Sequence, residues 1–318
     1  MSMETSTEIL KPPTATDILW GALVLAWTSR RNKKAGVSLP EKIDQYTFVS
    51  CIKKSDHYGD MAIGVYEKEG QRYIVKRWQG EYKDFNYYFL SHEYFVTNIM
   101  TRVIREHPVA GVAIPEAVAC VAESTSLSVV FQFIEGNTVS TLDTDKQITL
   151  WNKANDALEY LNAYLTAEDR RLIGTRGPKW YLILASGLSC LLLLFRPSRA
   201  KLVIRTWQTL VHLMRHLDAR LVLNHRDLTP SNLLLGEQGT VYILDLEAMA
   251  VTLPGYDRAF VTVDPESSKI ATALGPKTPT ATYVFLRNYI VLHHILGSGS
   301  YLHVNEKYLE ILNGLYSE

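Results

Sequence analysis

The run His225-Arg226-Asp227-Leu228-Thr229-Pro230-Ser231-Asn232 concentrates chemistry in eight consecutive residues, and Asp245 follows thirteen residues after Asn232. Phosphoryl transfer from a nucleoside triphosphate needs such a set. One carboxylate must orient the attacking hydroxyl, while an amide oxygen and a second carboxylate hold magnesium on the phosphates. The surroundings fit. Leu221-Val222-Leu223 leads into the run, Leu233-Leu234-Leu235 leaves it, and a glycine-containing turn precedes a second apolar strand that ends at Asp245. This pattern predicts a loop held between short strands, with both metal-binding residues at strand ends.

The elements that must position this loop are legible upstream. Tyr46 to Lys53, Met61 to Glu67 and Gln71 to Trp78 are short runs rich in Val, Ile, Tyr and Phe. The segments His57-Tyr58-Gly59-Asp60 and Lys68-Glu69-Gly70 separate them, so the three read as strands joined by hairpin turns. A helical pattern runs from Phe85 to Glu106 and stops before Pro108. Ala117 to Ala122 and Ser128 to Phe133 are two more strands, closed by Glu135-Gly136-Asn137. Five strands around one helix make a small lobe. Beyond Gly136 the spacing is mostly helical: Lys146 to Thr166, Leu202 to Leu217, Thr280 to Leu296 and Asn305 to Tyr316. The predicted class is therefore α+β, with a small five-stranded antiparallel sheet lobe at 41–134 and a helical lobe at 135–318. Residues 1–40 form an N-terminal extension with a short apolar helix.

The chain has 318 residues, of which 47% are hydrophobic, enough for a substantial core. Its formal net charge is zero, which provides no global attraction to nucleic acid. Three well-separated cysteines, Cys51, Cys120 and Cys190, form neither a disulfide framework nor a zinc motif. With no basic apolar leader at the start, a cytoplasmic location is expected. One stretch leaves two readings open. Trp180 to Phe195 is apolar and flanked by Arg176, Lys179, Arg196, Arg199 and Lys201. As a helix it would span roughly 24 Å, short of a ~30 Å hydrocarbon core. It reads as a buried core helix or as a helix that dips into one leaflet, a peripheral membrane contact.

A strand lysine at Tyr73-Ile74-Val75-Lys76 supplies an ammonium for the α- and β-phosphates, and Glu93, midway along the next helix, is its expected partner. Phe131 to Gly136 occupies the place of the adenine hinge, with backbone groups of Gln132 and Ile134 as the expected contacts. The turn at Ser55 to Asp60 lacks the repeated glycines of a phosphate-covering loop.

In order, Lys76, Glu93, Asp227, Asn232 and Asp245 resemble the protein-kinase-like superfamily, and residues 225–232 match its loop pattern H-R-D-L-x-x-x-N at every fixed position. The detail is most similar to the aminoglycoside phosphotransferase and choline kinase branch. Thr229 stands where serine/threonine protein kinases usually place lysine. Asp245-Leu246-Glu247 replaces D-F-G, and Pro254 to Ala259 resembles that branch's short G-x-x-D-L-A segment. Between Asp245 and Asp257 there is no room for a peptide-docking activation segment. The resemblance spans Tyr46 to Phe260 and implies an ATP- and Mg2+-dependent kinase acting on a hydroxyl of a small molecule, such as an aminoglycoside, sugar, amino alcohol or lipid head group. It implies Asp227 as catalytic base, Asn232 and Asp245 as metal ligands, and Lys76 fixed by Glu93 on the phosphates. It further implies that His225 and Arg226 are architectural and that Asp257 anchors their loop. Glu247 is either a metal auxiliary or a loop carboxylate. The alternatives are an atypical protein serine/threonine kinase and a pseudokinase acting as a binding scaffold.

Overall fold

The computed structural model describes residues 10–14, 16–17, 20–21, 24, 36–55, 60–184, 186, 200–214, 220–278 and 280–297. The turn at His57 to Asp60 as far as Gly59, most of the apolar run ending at Phe195, and the last expected helix lie outside the described residues, as does most of the N-terminal apolar helix. The chain divides into two compact units. One is Met1–Gly136 with Gly236–Ala248, the other Asn137–Leu235 with Met249–Glu318.

The first unit is built on an antiparallel sheet of β1 (Lys42–Ile43), β2 (Tyr46–Lys53), β3 (Met61–Lys68), β4 (Gln71–Gln79), β6 (Ala117–Glu123) and β7 (Ser126–Gln132), in the order β1-β2-β3-β4-β7-β6. Among the described residues it has six strands, not the five expected. The additional strand is only two residues long and turns back through Asp44 (φ 52°) to pair Ile43 with Tyr46. Two residues are too short to register as a period-2 pattern. At the β3–β4 turn, Glu69 and Gly70 both have positive φ (53° and 78°). That is the twist a two-residue hairpin requires.

Helix α1 (Phe85–Glu106) follows the expected bounds. Asp84 caps it through one oxygen, Oδ1, which accepts the N–H groups of Asn86 and Tyr87 and the Trp78 indole N–H. The apolar face of α1 packs on the sheet through Tyr87 and Leu90 against Trp78, Leu127, Val129 and Phe131. The short β5 (Val112–Ala113) pairs in parallel with β12 (Val241–Ile243), which ties residues 236–248 into this unit.

The second unit is mainly helical: α2 (Thr144–Leu161), α3 (Ala167–Ile173), a helix from residue 178, α4 (Ala200–Met214), α5 (Tyr256–Val263), α6 (Ser268–Leu274) and α7 (Ala281–Gly297). Its core joins Tyr181, Leu210, Tyr256, Phe260, Phe285 and Tyr289. Tyr181 is fully buried and bonds the Thr252 hydroxyl, so the start of the Trp180 run is anchored in the core. Further short strands are β8 (Gly136–Thr138), β9 (Thr175–Arg176), β10 (Val222–Asn224), β11 (Leu233–Gly236) and β13 (Ala250–Thr252), of which β9, β10 and β13 lie side by side in the order β10-β13-β9. Among the described residues, no helix is long and apolar enough to cross a membrane.

Candidate active site

In the first unit, strand alternation decides which side chains meet the helix. Ile74, Lys76 and Trp78 project from one face of β4, and Trp78 on that face packs against α1. Lys76 therefore faces the same helix. On α1, Tyr87, Leu90 and Glu93 recur at helical spacing along the buried face, all at 5% exposure or less. The two patterns bring an ammonium and a carboxylate together. Lys76 Nζ lies 2.7 and 2.8 Å from the two Glu93 oxygens and 2.6 Å from Asp245 Oδ1.

Burial pulls the Lys76 ammonium toward its neutral form, but Glu93 first, then Asp245 and Glu247, hold it well above the ordinary lysine range. The lysine is thus charged, paired and shielded. Asp245 is reached two residues after β12 and adopts φ 62°, a left-handed conformation that L-residues take only where surrounding contacts impose it. One oxygen each from Glu93, Asp245 and Glu247 lies within 4.8 Å of the others, and these are hard donors suited to a divalent cation.

In the second unit β10 delivers the chain to His225, and its pairing with β13 (Asn224 with Ala250) fixes the start of the loop. The loop is held by its backbone. Asp257, at the first turn of α5, accepts the N–H of His225 at 2.8 Å through Oδ2 and that of Arg226 at 2.6 Å through Oδ1. Burial pushes its carboxyl up to about 6, against the opposing effect of those two N–H groups. Arg226 has φ 71°, and its guanidinium lies 5.0 Å from the Tyr256 ring centroid. His225 is fully buried. The expected anchoring by Asp257 is thus present as hydrogen bonds to the backbone of His225 and Arg226.

Asn232 donates its amide to Asp227 twice, to the backbone carbonyl at 2.8 Å and to Oδ2 at 3.0 Å. Only an NH2 group can face two acceptors, so the orientation of the amide is set and its Oδ1 is directed away from Asp227. Thr229 N–H to Asp227 O, and Asn232 N–H to Thr229 O, close the turn between them.

The structure brings together Lys76, Glu93 and Asp245 in one unit, and Asp227 and Asn232 in the other. Gln132 ends β7, three residues along from Val129, the ladder partner of Lys76, and Ile134 follows it. The Gln132 N–H is donated to Glu116 O, so a backbone contact from Gln132 to adenine would use its carbonyl. One residue escaped the sequence analysis. Trp151 on α2, with no exposed surface, donates its indole N–H to Leu228 O at 2.6 Å and so holds the carbonyl next to Asp227. In sequence it looks like any apolar residue on a buried helical face, and 77 positions separate the partners.

An antiparallel sheet lobe with a helix-paired lysine, and a helical lobe carrying an anchored His-Arg-Asp loop, define a protein-kinase-like phosphotransferase. Residues 65–275, well over half of the chain, match the family described as the phosphotransferase enzyme family (APH), and the chain belongs to it. No curated protein sequence matches. Among solved structures the chain is similar to spectinomycin phosphotransferase APH(9)-Ia in complex with ADP and spectinomycin (15% identity, 92% of each chain, TM-score 0.50). It is also similar to a thermostable mutant of aminoglycoside phosphotransferase APH(4)-Ia bound to AMP-PNP and hygromycin B (14% identity, 87% of this chain and 91% of that one, TM-score 0.54). At these identities the likeness concerns the fold.

Proposed function

We propose that the chain transfers the γ-phosphoryl group of ATP to a hydroxyl of a small molecule. The observation that carries this reading is the Lys76 ammonium, held within 2.8 Å of both Glu93 and Asp245. A buried cation so placed is ready to receive phosphate oxygens beside a carboxylate able to ligate metal.

Lys76 would bind the α- and β-phosphates while Glu93 keeps its ammonium in place. Asp227 would orient the acceptor hydroxyl and take its proton, its carboxylate steadied by the Asn232 amide. Asn232 Oδ1 and Asp245 are oxygen donors of the kind Mg2+ prefers. When bound, Mg2+ supplies charge neutralisation on the β- and γ-phosphates. Gln132 and Ile134 would meet adenine through the backbone. A binding scaffold without turnover is less well supported, because the three carboxylates Glu93, Asp245 and Glu247 gather around the single Lys76 ammonium and leave negative charge for a metal ion to balance.

The test combines acceptor-dependent ATP consumption with a thermal-shift titration. Stabilisation by ATP should require Mg2+ and grow with ligand concentration. Asp227→Ala should abolish turnover but keep the shift, whereas Asp245→Ala should remove its Mg2+-dependent part. No shift at millimolar nucleotide, or full activity in both variants, would overturn the assignment.

A lipid-linked acceptor is a second reading favoured by one observation. Ile183, near the start of the Trp180 to Phe195 run, and Ile204 and Val211, beyond its end, are 70%, 55% and 49% exposed in the second unit. Flotation with anionic liposomes that survives in wild type and is lost on replacing Ile204 and Val211 by Ser would support it; equal flotation of both would exclude this surface.

A further inference from the structure

His92 and Glu93 are consecutive residues of α1, and both grip the same short stretch of backbone after β12. The Glu93 carboxylate accepts the Leu246 N–H. One residue further on, the Glu247 carbonyl lies 2.9 Å from His92 Nδ1. A carbonyl oxygen can only accept, so Nδ1 carries the proton and donates it. Both side chains are at most 5% exposed, and Leu246 is 1% exposed. The stretch they hold begins at Asp245, with its left-handed backbone, and continues as a single 3-10 turn, Leu246–Ala248.

Asp245 leaves the favoured backbone region only because its neighbours impose that conformation. Its ion pair with Lys76 constrains the side chain, not the peptide units that follow. The two α1 contacts constrain those peptides directly, one through an N–H and one through a C=O. A donor of short reach is required at position 92. A lysine or arginine there would place a second cation beside Glu93 and compete with Lys76 for it.

We infer that His92 is a positioning residue: with Glu93 it clamps the Asp245–Glu247 turn onto α1, so that the metal-binding carboxylate and the phosphate-binding lysine share one frame. This rests on the phosphotransfer reading for its consequence, though not for its geometry. Any displacement of α1 then carries Asp245 along with Glu93. His92 itself contacts no reacting atom; it acts through the backbone of the turn.

The experiment uses the full chain with His92→Leu and His92→Asn. Leucine fills a similar volume without a donor, while the asparagine Nδ2 is bonded to Cγ as Nδ1 is in histidine and restores one. Hydrogen exchange of the 245–248 amides, measured without nucleotide, should be roughly tenfold faster in the leucine variant and near wild type in the asparagine variant. Affinity for Mn2+ in the presence of ADP, followed by electron paramagnetic resonance, should fall about tenfold in the leucine variant and recover in the asparagine variant. In turnover, kcat should fall with the KM for ATP little changed. Wild-type exchange and Mn2+ affinity in the leucine variant would overturn the clamp. So would an asparagine variant that behaves like leucine, since the effect would then come from packing. If the wild-type protein bound no Mn2+ with ADP, the phosphotransfer reading would fall, and the exchange data would still decide whether His92 holds the turn.

Discussion

The two carboxylates of the proposed mechanism, Asp245 and Asp227, are secured by different forces. Asp245 sits against an ammonium that also carries Glu93, so charge holds its side chain in place. Asp227 faces an uncharged amide, and its loop hangs on backbone N–H groups bound by Asp257 and on an indole N–H from Trp151. The first arrangement is compact, but removing one member leaves buried charge unbalanced. The second is distributed, and losing one donor leaves the others in place. The contrast fits the chemistry proposed. A residue that must exchange a protein cation for a metal ion is best paired by charge, whereas a residue that handles a proton gains from a side-chain neighbour that does not itself titrate, as the Asn232 amide does not.

The largest expected effect comes from Asp227→Asn, which keeps the shape and an acceptor for Asn232 but removes the base. Turnover should drop by roughly 10²- to 10⁴-fold with little change in melting temperature. A variant that melts early would show that the carboxylate supports the fold, and the contrast would weaken. Next comes Lys76→Met. Glu93 is left buried and unpaired, so chemical denaturation should report a loss of about 3–5 kcal/mol along with the loss of activity. Adding Glu93→Leu should restore much of the stability and none of the turnover, separating the two roles of the pair.

Trp151→Phe removes a single donor from the distributed network. The orphaned Leu228 carbonyl should cost about 1–3 kcal/mol, with a modest fall in kcat. Loss of activity as severe as that of Asp227→Asn would mean that the loop depends on one contact after all. The smallest effect on turnover concerns Asp84, whose carboxyl burial pushes up to about 6 against three N–H donors. Because the folded pKa lies above the unfolded one of about 3.9, the native state binds the proton first, and stability falls as pH rises from about 4 to about 6. Asp84→Asn keeps Oδ1, which accepts all three N–H groups. Its advantage over wild type should be absent below pH 4 and reach at most about 3 kcal/mol above pH 6. Parallel stability curves for the two proteins across that window would refute the burial account.

Much of the fold was legible because periodicity is local. Helix α1 starts and stops where its cap and Pro108 say it should, and β2 matches the expected strand residue for residue. Lys76 and Glu93 could be paired from sequence because a strand lysine followed by a mid-helix glutamate leaves few alternatives. The two-residue β1 was not legible, since its pairing depends on a turn through Asp44 that no pattern announces. Nor was Trp151. Its hydrogen bond joins an ordinary buried helical position to a loop 77 residues away. His92 belongs to the same kind: its neighbour was chosen for its charge, while its own partner is a backbone carbonyl that carries no residue identity.

The order of strands and helices, and the residue types available for phosphoryl transfer, were determined by the amino-acid sequence alone, because both follow from short-range spacing and from the chemistry of individual side chains. Which backbone groups those side chains grip was decided only by tertiary structure. The Asp257 bridge to two successive N–H groups, the left-handed turn at Asp245 and the histidine that holds it all join segments far apart in the chain. Every peptide offers the same donor and acceptor, so only packing selects among them.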